Sequence, residues 1–240
     1  MPDASSPTPR SVQVPDQTVE PVLKLDRVTL NLPADSGPVE ILKGVDMAAY
    51  PGESVAIVGP SGSGKSSLMS VAAGLEQATG GTITLLGEVV RALNEDGLAR
   101  LRRGRVGFVF QSFHLVPTMN AVENVLAPLE IARLPDPGPR ARAALEAVGL
   151  GHRLDHYPSQ LSGGERQRVA VARALAPEPE IVFADEPTGN LDGAAGAIVA
   201  EMLFFVAAER NATLVLVTHD LEVAARADRQ IRMRDGQIVE

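Results

Sequence analysis

Cysteine and tryptophan are absent from this 240-residue chain, and aromatic side chains make up only 3% of it. Without thiols there is no disulfide framework and no zinc site built on thiolates, which fits the cytosol. The core has to be filled by aliphatic side chains instead. A hydrophobic content of 45% suffices for one large domain, or for a core with a subdomain. A positive balance is missing as well: 22 Lys and Arg stand against 30 Asp and Glu, a net charge of −8. That excess argues against a surface that embraces nucleic acid, so no nucleic-acid partner is expected. Nor is there an uncharged apolar run of membrane-spanning length. The nearest approach, Ala194 to Ala208, is interrupted by Glu201 and reads as a buried amphipathic helix. The opening MPDASSPTPRSVQVPDQ has no apolar signal region. On this reading the chain neither enters nor spans a membrane by itself.

Residues 1–20, rich in Pro, Ser and Asp, read as a disordered leader, and 21–240 as a single domain. Short strands are predicted at Leu23–Leu30, Glu40–Met47, Ser54–Val58 and Thr82–Leu86, separated by Pro and Gly turns. Asn94 caps a predicted helix through Arg103, and Val106–Phe110 is an apolar run that stops at Gln111. From about 112 to 176 the pattern is helical: Ala121–Leu134, broken or bent near Pro128, then Pro139–Val148, then Ser162–Ala176. Strands return at Ile181–Ala184 and Thr213–Thr218 around a helix at 194–209, and a hairpin turning at Asp235-Gly236 closes the chain. Alternating strands and helices imply an α/β fold with a parallel sheet, whose ligand lies at the carboxyl ends of the strands.

Two motifs carry the chemistry. Gly59 to Ser66 reads GPSGSGKS, between an apolar strand and a predicted helix, the setting a phosphate-binding P-loop needs. Gly59, Pro60, Ser61, Gly62, Ser63 and Gly64 turn backbone N–H groups toward phosphate oxygens, and the start of the helix adds its positive end. Lys65 is assigned to the outer phosphates, Ser66 to Mg²⁺, and Ser67 to the same nucleotide site. A flexible Gly/Ser linker is the bland alternative, but linkers are not flanked by buried strands. Asp185 and Glu186 end the next predicted buried strand. Asp185 is read as supporting Mg²⁺, and Glu186 as accepting a proton from, or orienting, the attacking water; a surface-turn cap is the alternative. The cluster Arg91, Arg100, Arg102, Arg103 and Arg105 reads first as a solvated helix face and second as a site for an anionic partner. His114, His152 and His156 match no ligand spacing.

The second motif, LSGGERQRVAVARAL from Leu161 to Leu175, resembles the signature of the ATP-binding cassette (ABC) ATPases. Ser followed by two glycines at a helix start is an anion site, and also an ordinary cap. The resemblance covers roughly Val22 to Val239. It implies a P-loop core with a parallel sheet, an antiparallel β subdomain and a helical signature subdomain. It further implies that Ser162, Gly163, Gly164 and Glu165 face the γ-phosphate held by a second cassette, an identical chain being the simplest source. In the same order along the chain, Gln111 resembles the glutamine that reaches metal and water, and Gly189, Asn190, Leu191 and Asp192 resemble the loop crossing the dimer interface. His219 resembles the switch histidine at the γ-phosphate. One position departs from the family: where many members stack an aromatic ring on adenine, VTLNLPADSG has none, and Leu32 falls nearest.

Within the family, VGFVFQSFHLVPTMNAVENV and FADEPTGNLD are most similar to the group serving lipoprotein release, macrolide export and cell-division permeases, and to YbbA-type ATPases. That likeness implies an ATPase at the cytoplasmic face of the inner membrane, joined to a separate permease through a coupling helix. Phe113, Leu115 and Val116 would line its docking groove, unless they are plain core. Export or extraction of a hydrophobic or lipid-like substrate is the leading expectation. Mechanical signalling through a permease-like partner to a periplasmic enzyme is the alternative, and a soluble ABC protein of DNA repair or translation a third. Only a short helical insertion separates P-loop from signature, which speaks against the third.

Overall fold

The computed structural model describes residues 19–33 and 37–239. The expected leader therefore lies outside the described residues except for Val19 and Glu20. Two sheets organise the fold. An antiparallel sheet is built from β1 (Leu23–Leu32), β2 (Val39–Ala49), β4 (Gly80–Leu85) and β5 (Glu88–Val89), in the order β2-β1-β4-β5. β1 alternates buried Leu23 and Leu25 with exposed partners, then slips register at Arg27 (φ 47), so that Val28 and Leu30 continue the buried face.

The second sheet has six strands: β3 (Ser54–Val58), β6 (Val106–Phe110), β7 (Ile181–Asp185), β8 (Thr213–Val217), β9 (Arg229–Arg234) and β10 (Gln237–Ile238). Their order is β10-β9-β3-β8-β7-β6, and all neighbours are parallel except the closing β9–β10 hairpin. β3, β7 and β8 are almost continuous aliphatic runs because both faces of the sheet are covered. Alternate residues serve the two faces. Ile181 and Phe183 join the core toward α1 (Lys65–Ala72) and the antiparallel sheet, whereas Val182 and Ala184 join the core of the helical side.

That helical side contains α3 (Ala121–Ile131), α4 (Pro137–Ala147), α5 (Gly163–Leu175) and α6 (Gly193–Glu209), with α2 (Glu95–Arg102) and α7 (Leu221–Ala224) elsewhere on the core. Of the break or bend expected at Pro128, the break is absent: the proline sits inside α3, which ends one turn later rather than at Leu134. A proline there gives up one backbone donor, and the buried Asn124 one turn back binds the preceding loop through the Val116, Met119 and Asn120 carbonyls.

The closing hairpin reaches back to the P-loop. Gly236 N–H donates to the Ser63 carbonyl at 3.1 Å. Gly59 lies so close to β9 that an added Cβ would stand 2.2 Å from the Met233 carbonyl oxygen. Only glycine fits there.

Candidate functional site

The carboxyl ends of β3, β6, β7 and β8 meet in one cleft. It is lined by Ile41, Ser61, Gly62, Gly64, Lys65, Ser66, Ser67, Gln111, Glu186 and His219. Residues separated by more than 150 positions in sequence, such as Ser61 and His219, are thus brought together because they follow parallel strands of one sheet, and Ile41 joins them from β2 of the antiparallel sheet.

The P-loop has the features of a phosphate cradle. Gly64 takes a left-handed conformation (φ 95) at the N-terminus of α1 and supplies no side-chain cap, so the first N–H groups of the helix keep no acceptor from it. In α2, α3, α5, α6 and α7 a side chain from Asn94, Asn120, Ser162, Asp192 or Asp220 accepts at the corresponding place. The Lys65 ammonium is buried and donates to the Gly59 and Pro60 carbonyls, both at 2.9 Å. Those two bonds satisfy a charge that would be costly to bury bare. Ser63 Oγ is buried with no hydrogen-bond partner, an orphaned hydroxyl beneath the loop. An anion is the ligand that fits this set of donors.

Beside the cradle, Ser66 Oγ donates to Asp185 Oδ1 at 3.1 Å. Burial pushes the Asp185 carboxyl up from its usual range; the Ser66 hydrogen bond opposes this, the charge of Glu186 adds to it, and Lys65 counters it. A half-buried carboxylate next to a hydroxyl fits a divalent cation. Among the described residues no three His, Cys, Asp or Glu side chains converge, so such an ion would draw its remaining oxygens from nucleotide and water.

Glu186 adopts a left-handed backbone conformation (φ 45) just past β7, fixed by its N–H to the Val217 carbonyl at 2.9 Å. Its Oε2 meets His219 Nδ1 at 2.8 Å, and the two side chains differ in exposure, 16% for the Glu and 69% for the His. The acid is sheltered and the imidazole faces the cleft opening, which lets one hold position while the other responds to a ligand.

Gln111 is joined to the loop after β7: Asn190 Nδ2 donates to the Gln111 carbonyl at 3.0 Å, and Gln111 Nε2 approaches Asn190 Oδ1 at 3.5 Å. Gly189 leaves room for this arrangement, since a Cβ there would stand 2.8 Å from Gln111 Nε2 and push the amide aside. The sequence offered no sign of this pairing. It also missed Ile41, an apolar residue of β2 that lines the P-loop cleft and has only its place in an ordinary alternating strand to mark it.

The signature residues lie elsewhere. Ser162, Gly163, Gly164 and Glu165 line a separate pocket with Asn190, Leu191 and Asp192. Ser162 and Glu165 form a reciprocal capping box, with Glu165 N–H to Ser162 Oγ at 3.2 Å and Ser162 N–H to Glu165 Oε2 at 2.8 Å. Those bonds hold Glu165 below its ordinary pKa of 4.5, the Ser162 backbone donor first and its hydroxyl second; burial opposes, and Arg153 and Arg168 assist. The cap leaves the first N–H groups of Gly163 and Gly164 outside the helical ladder. Asp192 in turn caps α6 through Ala195 N–H at 2.9 Å.

Of the three expected groove residues, Leu115 packs against the core, Val116 is exposed, and Phe113 carries the Arg166 guanidinium 5.1 Å above its ring. A groove does open nearby, lined by Phe108, Phe110, His114, Pro128 and Ile131 with Arg103 at its edge. Two arginines of the basic cluster are engaged within the fold, Arg105 with Glu180 and Arg102 with the Gly74 carbonyl.

A phosphate cradle at the end of a parallel strand, with a Ser–Asp pair and a Glu–His pair beside it, defines a P-loop ATPase of mixed α/β fold. Residues 42–189 match the model of the ABC transporter family. The chain is 50% identical over 204 residues to the uncharacterized ABC transporter ATP-binding protein YbbA of Escherichia coli K12, covering 84% of this chain and 90% of that protein. It is 46% identical over 221 residues to the lipoprotein-releasing system ATP-binding protein LolD 2 of Caulobacter vibrioides, covering 91% and 97%. It matches the macrolide export ATP-binding/permease protein MacB of Marinobacter nauticus at 46% identity over 92% of this chain, but spans only 34% of that protein. The solved dimer of the ATP-binding cassette MJ0796 in a post-hydrolysis state with ADP and Pi superposes with a TM-score of 0.85 at 38% identity, over 91% of this chain and 97% of that one. The chain belongs to the ABC transporter family, as an ATP-hydrolysing, nucleotide-binding subunit closely related to the LolD and YbbA group.

Proposed function

We propose that two copies of this chain close around two ATP molecules and drive a separate permease from the cytoplasmic face of the inner membrane, exporting or extracting a hydrophobic or lipid-like substrate. One observation carries the dimer: the P-loop cleft and the signature pocket share no lining residue. A signature that cannot serve its own P-loop has to serve another. The solved relative MJ0796 is described as a dimer, which supports the reading.

In this reading Gly59, Pro60, Ser61, Gly62, Ser63, Gly64, Lys65, Ser66 and Ser67 hold the nucleotide of their own chain. Ser162, Gly163, Gly164 and Glu165 approach the nucleotide of the partner, and Gly189, Asn190, Leu191 and Asp192 form the contact between chains. Ser66, Asp185 and Gln111 would hold Mg²⁺, which when bound would neutralise charge on the outer phosphates. Glu186 orients the attacking water and takes its proton, and His219 links Glu186 to the γ-phosphate.

No helix among the described residues is long and apolar enough to cross a membrane, so the membrane path belongs to the partner. A coupling helix of the permease would enter the groove at Phe108, Phe110, His114 and Ile131, the last of these 65% exposed. Lipoprotein release and macrolide export, named for two relatives, both concern lipid-like or hydrophobic cargo and support the substrate class.

Glu186→Gln tests the site and the assembly together. It should bind ATP normally, lose turnover, and elute as a dimer only when ATP is present. A variant that turns over normally, or stays monomeric with ATP, would refute the reading. Isolation of the chain from membranes with its transmembrane partner, followed by lipid analysis of that complex, tests the cargo; a partner without any lipid-accessible path would refute it.

A further inference from the structure

Immediately after Gln111 the backbone makes a turn that ordinary side chains resist. Phe113 and His114 stand consecutively at φ 60 and φ 47, in the left-handed region where Cβ crowds the neighbouring carbonyl. The His114 N–H folds back to the Ser112 carbonyl at 2.6 Å. Two such residues in succession persist only where their surroundings over-determine them.

Those surroundings come from α5. Arg173 Nη2 donates to the Phe113 carbonyl at 2.9 Å and Nη1 to the His114 carbonyl at 2.5 Å. Arg166, two turns earlier on the same helix, lies over the Phe113 ring, and Gln167 Nε2 donates to the Phe110 carbonyl at 3.3 Å. The Phe110 and His114 rings close the turn with centroids 4.7 Å apart. Burial lowers the Arg173 pKa from its ordinary value, and a guanidinium stays protonated in proteins. A planar guanidinium can grip two carbonyls at once, which an ammonium cannot do with the same geometry.

We infer that Arg173 is a positioning residue for hydrolysis: it clamps the left-handed turn at Phe113 and His114, and so ties Gln111 to α5, whose other end is the signature. The glutamine facing a chain's own nucleotide is thereby mechanically linked to the segment that faces the partner's. This rests on the proposed role of Gln111 at metal and water.

The experiment compares steady-state ATP hydrolysis and ATP titration for the full chain and its Arg173→Ala, Arg173→Lys and Gln111→Ala variants. Arg173→Ala should lower kcat by about tenfold while its ATP affinity stays within about twofold, and Arg173→Lys should fall between it and the parent. His114→Gly removes the cost of the left-handed turn, so adding it to Arg173→Ala should restore about half of the lost kcat. A structural role alone predicts no such rescue. Full turnover in Arg173→Ala, or no recovery with His114→Gly, overturns the inference. If Arg173→Ala shows no thermal transition, the Arg173→Lys variant with and without His114→Gly decides by the same criteria. Full turnover in Gln111→Ala would instead refute the role of Gln111, and so separates the two failures.

Discussion

Lys65 illustrates how this site waits for its ligand: the ammonium is parked on two carbonyls of its own loop, and phosphate has only to replace acceptors already in reach. Asp185 is the less comfortable neighbour. Burial disfavours its charge first of all, the Ser66 hydrogen bond relieves part of that, and the neighbouring Glu186 charge adds to the rise in its pKa. Asp185→Asn should therefore raise the nucleotide-free melting midpoint by no more than about 2 °C, because solvent screens the exposed part of the carboxylate, while abolishing magnesium-dependent turnover. Differential scanning calorimetry and a coupled phosphate assay would read the two effects. His219→Ala should leave ATP binding intact and lower kcat on the order of 10²-fold, because Glu186 loses the group its Oε2 rests against.

Most of this was legible from single residues. Most of the P-loop, Glu186 and His219 line one cleft, with Asp185 bonded to Ser66 beside it, because each follows an apolar strand of the same parallel sheet. Ile41 and the Gln111–Asn190 pairing were not legible. Both depend on which loops a crossover brings side by side, and nothing local in an alternating strand or a polar loop encodes that.

Among the elements, α5 has a cap that is compatible with the proposed role of the signature at a partner's nucleotide. Ser162 is an ordinary N-cap, and the N–H groups it leaves free are those an anion would use. The capping box also sets a pH dependence. Because Glu165 has its pKa lowered on folding, its contribution to stability is complete above about pH 4.5 and is lost as pH falls through the lower folded value. Melting midpoints of the parent and Glu165→Gln should therefore differ near neutrality and converge in acid. A capping residue is worth about 1 kcal/mol, so the neutral difference should be no more than a few degrees. Element boundaries were read to within a residue or two where a cap or an abrupt Gly marks them, as at Asn94, Ser162 and Asp192. They were read worst at α3, which ends at Ile131 instead of Leu134 and runs unbroken through Pro128, where packing against α4 and α5 supports it. The short β5 and α7 carry too few residues to show a period.

For the whole molecule, the separation of cradle and signature makes a complementation test possible. Lys65→Ala disables one half-site and Gly164→Asp the other. A Cβ at Gly164 would meet Ala195 Cβ at 3.4 Å, an ordinary contact, and a thermal melt of the variant checks that the carboxylate beyond it leaves the fold intact. Each variant alone should be inactive. Random pairing of the two gives dimers in which one site is wholly intact, and the mixture should recover about a quarter of the parent activity. No recovery in the mixture would mean that the two half-sites do not meet between chains, or that one site cannot fire alone; trapping of ATP at a single site per mixed dimer separates these.

The position of β3 has a further consequence for how the protein is made. Its neighbours in the sheet are β8 and β9, and the loop that follows it is braced by Met233 and Gly236. The residues that recognise nucleotide leave the ribosome early, yet the strands flanking them are translated last. A nascent chain therefore carries an intact motif without a working site until synthesis is all but finished. A stop codon placed before β9 should yield a product that contains every phosphate-contacting residue and still fails to retain ATP.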